Sequence, residues 1–188
     1  MVLVLSGITF FAVMALASIY NLTLEPIAKA KIAKRQNAVR EVLPAFDHVA
    51  APVEVKDGPE ISKIFKAYDK NNNFVGAAVE ASSNNGFNGK IVVMVGFDKD
   101  ANITNYSVLQ QNETPGLGSR MVSWFKDAQK KGQSVLGLNA ASANLTVSKD
   151  GGDVDAITAA TISSKAFLFA VRNAYQAYST ATSSNTTK

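Results

Sequence analysis

The chain has no cysteine among its 188 residues and a single histidine, His48. The first absence excludes disulfides, thiolate zinc or iron–sulfur sites and cysteine nucleophiles. The second argues against histidine metal centres and Ser-His-Asp chemistry. An enzyme with this inventory would borrow its chemistry from a cofactor. Charge is missing at one end, where no charged side chain precedes Glu25. Between residues 25 and 43, Lys29, Lys31, Lys34, Arg35 and Arg40 stand against Glu25 and Glu41, a balance of 5 − 2 = +3 out of a net +4. The remainder is close to neutral, so no nucleic-acid partner is expected.

Hydrophobic residues make up 47% of the chain and charged residues 18%, which suits one ordinary domain. Residues 2–24, VLVLSGITFFAVMALASIYNLTL, carry no charge, and as a helix they would cross the roughly 30 Å hydrocarbon core of a bilayer. They predict a transmembrane anchor over residues 1–24. A signal peptide cleaved near Ala15-Leu16-Ala17 and a buried core helix are the competing readings. After Pro26, residues 27–42 contain no glycine or further proline and predict a basic helix with its lysines near lipid head groups. A solvated basic face explains that stretch equally well. Residues 44–59 hold Pro44, Pro52 and Pro59 and read as a connector.

A β-rich region follows. Residues 61–68 and 74–81 flank the turn DKNNN and predict a hairpin, and SSNNGFNG at residues 82–89 predicts a polar loop. The IVVMV core of residues 90–97 predicts a strand buried on both faces, and a turn at residues 98–102 leads to a strand over residues 103–110. Successive strands with short turns argue for an antiparallel sheet. Beyond it, residues 112–120 predict a loop opening a helix to about Lys131, with Met121, Val122, Trp124, Phe125 and Ala128 on its apolar face. Extended pieces are expected at residues 134–138 and 144–148, a last helix at residues 167–178, and a flexible tail at residues 179–188. The class is α+β. The expected division is anchor 1–24, juxtamembrane helix and connector 25–59, domain 60–178, and tail.

Two segments stand out chemically. In DAITAATISS, residues 155–164, hydroxyls and small side chains gather where a loop enters a helix, and free amides with the positive end of the helix dipole favour phosphate there. Ordinary N-capping accounts for the same residues. In NETPGLG, residues 112–118, two glycines around Leu117 let backbone approach a flat ligand, with Glu113 and Thr114 as acceptor and hydroxyl. A structural turn is the alternative. Trp124, Phe125, Phe87 and Tyr106 are candidates to stack on a ring, although core packing is the expectation for each.

These residues resemble a known family. DAITAATISS is similar to the flavinylation motif Asp-x-x-Ser/Thr-Gly-Ala-Thr/Ser-x-Ser/Thr of proteins that carry FMN on threonine. NETPGLG is similar to the companion loop of the FMN-binding domain in RnfG and NqrC, subunits of ion-pumping membrane redox complexes. The resemblance implies a single FMN-binding domain with a mainly antiparallel sheet and flanking helices behind one transmembrane helix. It implies FMN joined by a phosphoester to Thr161, with Asp155 and Thr158 read by a flavin transferase that delivers FMN from FAD with magnesium. Glu113, Thr114, Gly116, Leu117, Gly118, Thr158 and Ala160 would line the flavin pocket. Ala159 stands where the motif has glycine, and its methyl matters if that position needs φ > 0.

By the same resemblance, the chain would be an electron-relay subunit of a ferredoxin–NAD type complex rather than a self-sufficient enzyme. Its partners would be the other membrane subunits, the transferase and lipid. The RnfG-like reading is preferred to the NqrC-like one because the domain is compact. A membrane-tethered flavin sensor and a cofactor-free surface domain are the alternatives from other classes. The family places its flavin domain outside the cytoplasm of the bacterial cell membrane, whereas the basic flank after Glu25 would stay inside. An internal Met1 preceded by basic residues would reconcile the two.

Overall fold

The computed structural model describes residues 1–57 and 60–183 and divides into two compact units, the first ending at Gln36 and the second beginning at Asn37. The first unit is helical. It belongs to α1, Val2–Val42, a helix of 41 residues that contains Pro26. Its most apolar window has a mean hydropathy of 2.4 with none of it buried, and the segment is long and apolar enough to cross a membrane. The hydroxyls of Thr9, Ser18 and Thr23 donate to the carbonyls of Leu5, Met14 and Ile19 at 3.0, 2.8 and 2.9 Å. These hydroxyls of the apolar stretch are thereby satisfied within the helix itself.

The second unit is a six-stranded antiparallel sheet packed between the end of α1 and a long helix. Its strands are β1 (His48–Val49), β2 (Val53–Asp57), β3 (Glu60–Tyr68), β4 (Phe74–Gly86), β5 (Gly89–Asp98) and β6 (Ile103–Gln110). The order is β1-β3-β4-β5-β6, with β2 also paired to β3. Registers Ile64↔Val79, Val79↔Val95 and Val95↔Tyr106 line up one buried row across four strands. Against that face lies α3, Thr161–Ser183, burying Phe167, Leu168, Ala170, Val171, Ala174, Ala177 and Tyr178. Burial at this helical spacing gives α3 its one apolar face.

On the other face, Ala38, Val39, Val42 and Leu43 pack against Ala67, Ala78 and Met94. Gly96 makes this possible, because a Cβ there would collide with the Val42 carbonyl. The last carbonyls of α1 find side-chain donors, Thr104 Oγ1 to Val42 and Asn105 Nδ2 to Glu41 at 3.0 Å. Strands β4 and β5 are therefore buried on both sides, as the IVVMV core predicts for β5.

Two hairpins turn at one end of the sheet by the same device. Asp69 accepts from the amides of Asn71 and Asn73 and the Asn73 side chain at 2.8, 2.8 and 2.9 Å. Asp98 repeats the pattern with Asp100 and Asn102 at 2.9, 2.9 and 2.8 Å. The β4–β5 turn and the exit from β6 lie at the opposite end.

Several expectations need correction. Residues 44–59 are not simply a connector, since β1 and β2 come from them. The polar stretch at residues 82–89 is the tip of a hairpin, with β4 reaching Gly86 and β5 starting at Gly89. The helix expected to Lys131 is only α2, Met121–Trp124, after a single 3-10 turn at Gly118–Arg120. There the Phe125 ring stacks on Phe167 with centroids 4.5 Å apart, and its carbonyl accepts the Val135 amide at 2.9 Å, so the chain bends inward. The extended pieces at residues 134–138 and 144–148 form no strands; isolated bridges join Asn102 to Asn139 and Val147 to Val154. Helix α3 begins at Thr161, before the expected residue 167, and continues past Tyr178 to Ser183, with Ala181 buried and its carbonyl accepting Lys66 Nζ at 3.0 Å. Residues 184–188 of the expected tail lie outside the described residues.

Candidate functional site

Three segments meet at the end of the sheet opposite the Asp69 and Asp98 turns: the β4–β5 tip, the loop after β6, and the approach to α3. Glu113 joins them. It is only 4% exposed, its Oε1 accepts the Asn88 amide at 3.0 Å, and its Oε2 accepts the Ser163 hydroxyl. Its carboxylate has no cationic partner among the described residues. Gly118 is required beside it, since a Cβ there would run into Ser163 Oγ and the Glu113 side chain. The loop closes on itself through Leu117 and Ser119 amides to the Thr114 carbonyl at 3.1 and 3.3 Å and the Gly116 amide to Ser119 Oγ at 3.0 Å.

The approach to α3 is held as tightly. Asp155 donates its amide to the Gly132 carbonyl at 2.6 Å, accepts the Ser148 hydroxyl at 2.7 Å, and offers its carbonyl to Trp124 Nε1 at 3.1 Å. Ser164, fully buried, accepts the Ile157 amide at 2.9 Å and donates to the Ala160 carbonyl at 2.9 Å. Between these ties Ala159 has φ 61°, a left-handed conformation that costs a non-glycine residue about 1–2 kcal/mol. Thr161 then opens α3. The amides of Thr161, Ile162 and Ser163 find no protein acceptor among the described residues, as expected of a first helical turn.

Thr161 and Ala159 form a wall shared by two cavities. One, of about 350 Å³, is walled by Phe87, Leu117 and Ile162 with the Thr114 hydroxyl at its edge. The other, of about 360 Å³, is lined by Trp124, Lys130, Gln133, Lys149 and Asp155. Both reach the lower end of the size range of small-ligand sites. A larger cavity, of about 550 Å³, lies at the far end of α3 among Tyr68, Phe74, Tyr175 and Tyr178 and includes no residue of either motif. Burial, with the nearby Asp98 and Asp100 charges, pushes the Tyr178 phenol up to about 12.

The sequence-predicted residues separate accordingly. Thr161, Thr114, Leu117, Gly118 and Ala160 line the apolar cavity, while Asp155 and Thr158 line the polar one. Glu113 and Gly116 line neither; Glu113 lies underneath, and Gly116 sits in the turn with φ 76°. Tyr106 and Phe125 are core residues, but Phe87 is 64% exposed at the cavity rim, which corrects the core expectation for it. Trp124 is half-buried, with the Arg120 guanidinium 4.7 Å from its ring centroid. Sequence reasoning missed Asn88, Ser163, Ser164, Lys130 and Lys149. Ser163 had a usable signal, as it occupies the last hydroxyl position of the motif; the others depend on contacts across distant segments.

An apolar slot, a hydroxyl at an open helix terminus and two lysines suit a flat ligand that carries a phosphate. Among the described residues no cluster of side chains could hold a metal ion. The FMN-binding domain family matches residues 86–176. The G subunit of an ion-translocating oxidoreductase complex from Aliivibrio fischeri is 33% identical over 188 residues, covering 92% of this chain and 88% of that protein. The G subunits of the same kind of complex from Methanosarcina acetivorans and Escherichia coli K12 are 33% and 32% identical, covering 89% and 84% of this chain and 87% and 80% of their own lengths.

Proposed function

The chain belongs to the family of G subunits of ion-translocating oxidoreductase complexes, and on that premise we propose that it is a membrane subunit of such a complex that carries FMN on Thr161. The observation that supports this most is the bond between Glu113 and Ser163, which ties the NETPGLG loop directly to the threonine motif, whose Thr161 lines the apolar slot. The conformation of Ala159 is the second support. Its left-handed φ gives a physical reason for the glycine that related motifs have there.

When bound, FMN supplies one- and two-electron chemistry that the polypeptide lacks. The chain's own task is to hold it. The Thr161 hydroxyl would hold FMN as a phosphoester, losing its proton as a flavin transferase with magnesium splits FAD and AMP leaves. The amides of the first α3 turn would be available to the phosphate, and Phe87, Leu117 and Ile162 would offer the ring an apolar wall. Attachment through phosphate leaves the ring free, so its potential is set by the groups around it. Electrons pass between ferredoxin-side and NAD-side subunits of the complex, with the flavin domain outside the cytoplasm and α1 as its single membrane span.

Denaturing electrophoresis under ultraviolet light tests the reading. Protein produced with the transferase is expected to give a fluorescent band at its own mass, and Thr161→Val to give a dark band of equal intensity on staining. A dark wild-type band defeats covalent attachment, and a fluorescent Thr161→Val band reassigns the site.

A further inference from the structure

We propose that Thr161 is a pivot, and that the ring it carries has two seats rather than one. This inference rests on the covalent FMN reading above. The observation behind it is that the two cavities, about 350 and 360 Å³, share Ala159 and Thr161 as their common wall. A ring tethered at that wall through a flexible sugar chain has access to both sides. Nothing in the local structure closes either side: Thr158, Ala159 and Ile162 are exposed, and Phe87 stands at the rim of the first cavity rather than across it.

The seats differ in chemistry. The first offers Phe87, Leu117 and Ile162, which cover apolar ring surface but provide few partners for the polar edge of an isoalloxazine. The second offers the Trp124 indole for stacking, with Lys130 and Lys149 as donors for ring carbonyls and complements for negative charge. Gln133 also lines it and gives one N–H of its amide to the Trp124 carbonyl at 3.1 Å. Trp124 is itself fixed by its bond to Asp155, so the second seat has a preformed wall. With chemistry so different, the balance between seats is set by the lining side chains. Two populations of one tethered cofactor follow.

The seats also differ optically, which makes the proposal testable without any measurement of turnover. Indole in contact with an excited flavin quenches it by electron transfer, and phenylalanine does not. Trp124 lines the second cavity, whereas Phe87 is the one aromatic residue lining the first. Full-length protein carrying covalent flavin is therefore expected to show two fluorescence-lifetime components, one strongly shortened. Trp124→Phe should remove the short component. Phe87→Ala should keep it and raise its share, because the first seat loses its principal wall. Lys130→Glu with Lys149→Glu should lower that share. A single lifetime that Trp124→Phe and Phe87→Ala both leave unmoved overturns the pivot while covalent attachment stands. Absence of any flavin on the wild-type band overturns the functional reading, and the pivot with it.

Discussion

At one end of the sheet Asp69 and Asp98 each organise a turn from residues no more than four positions away, while at the other Glu113 joins Asn88 to Ser163, which are 25 and 50 residues distant from it. The Asp69 turn is exposed and held by its own residues, whereas the Asp98 turn is half-buried and is also bonded by the Asn139 side chain at Asp100 and Asn102. The site is buried at its base, depends on close packing at Gly118, and includes an alanine in a glycine conformation. Local hydrogen bonds make the first kind of structure robust to changes elsewhere. The second exists only when three segments have docked, so it concentrates both function and vulnerability.

The sharpest test of that contrast is Glu113→Ala. It leaves the Ser163 hydroxyl and the Asn88 amide without their acceptor, an expected loss of about 3 kcal/mol in a denaturant titration. Flavin attachment should fall with it, because the Thr161 approach loses its tie to the loop. Glu113→Gln, which keeps an acceptor for Asn88, should lose less on both counts. If Glu113→Ala were no more harmful than a change at Asp98, the contrast between the two ends would be wrong.

Ala159→Gly should act in the opposite direction. Relief of the left-handed strain is expected to stabilise the domain by about 1 kcal/mol, offset in part by the added freedom of the unfolded chain. The band fluorescence per protein should hold steady or rise. A loss of stability in thermal unfolding would contradict the observed backbone conformation.

Smaller effects are expected at the turns. Hydrogen bonds from the Asn73 side chain and backbone, then the Asn71 backbone, hold the Asp69 carboxyl below its ordinary value of 3.8. Desolvation raises the Asp98 carboxyl, but the combined bonds from Asn102 and Asp100 outweigh it and leave that group lowered as well. A carboxyl lowered in the folded state contributes stability that is present above its unfolded pKa and lost as pH falls through the folded one. Stability should therefore hold at neutral pH and decline below about pH 4. Asp69→Asn and Asp98→Asn should each lose at pH 7 the part of the stability that the wild-type carboxylate loses on acidification, and so make the decline shallower. A decline that is equally steep in both variants would move the acid sensitivity away from the turns.

The same contrast governs what the sequence makes legible. DKNNN and DKDAN carry their turn chemistry in the residues themselves, and the apolar run at residues 91–95 specifies a strand buried twice over. The uncharged amino-terminal stretch is equally direct. By contrast, the short α2 could not be foreseen, because its end is fixed by Phe125 stacking on a residue of α3. The added strands β1 and β2 come from a proline-bearing stretch whose pairing with β3 overrides its local bias. At the site, motif residues were visible as chemistry but not as geometry. The family resemblance places Glu113 among the pocket residues, whereas its buried carboxylate lies below and holds the two motifs together.

The attachment of FMN to Thr161 is the proposal on which the rest depends. The most direct measurement is mass spectrometry of the intact chain and its peptides after production with the transferase. The account predicts a gain equal to FMN less one water, confined to the peptide containing Thr161 and absent from Thr161→Val. An unmodified chain, or the same gain on a peptide that lacks Thr161, would contradict it.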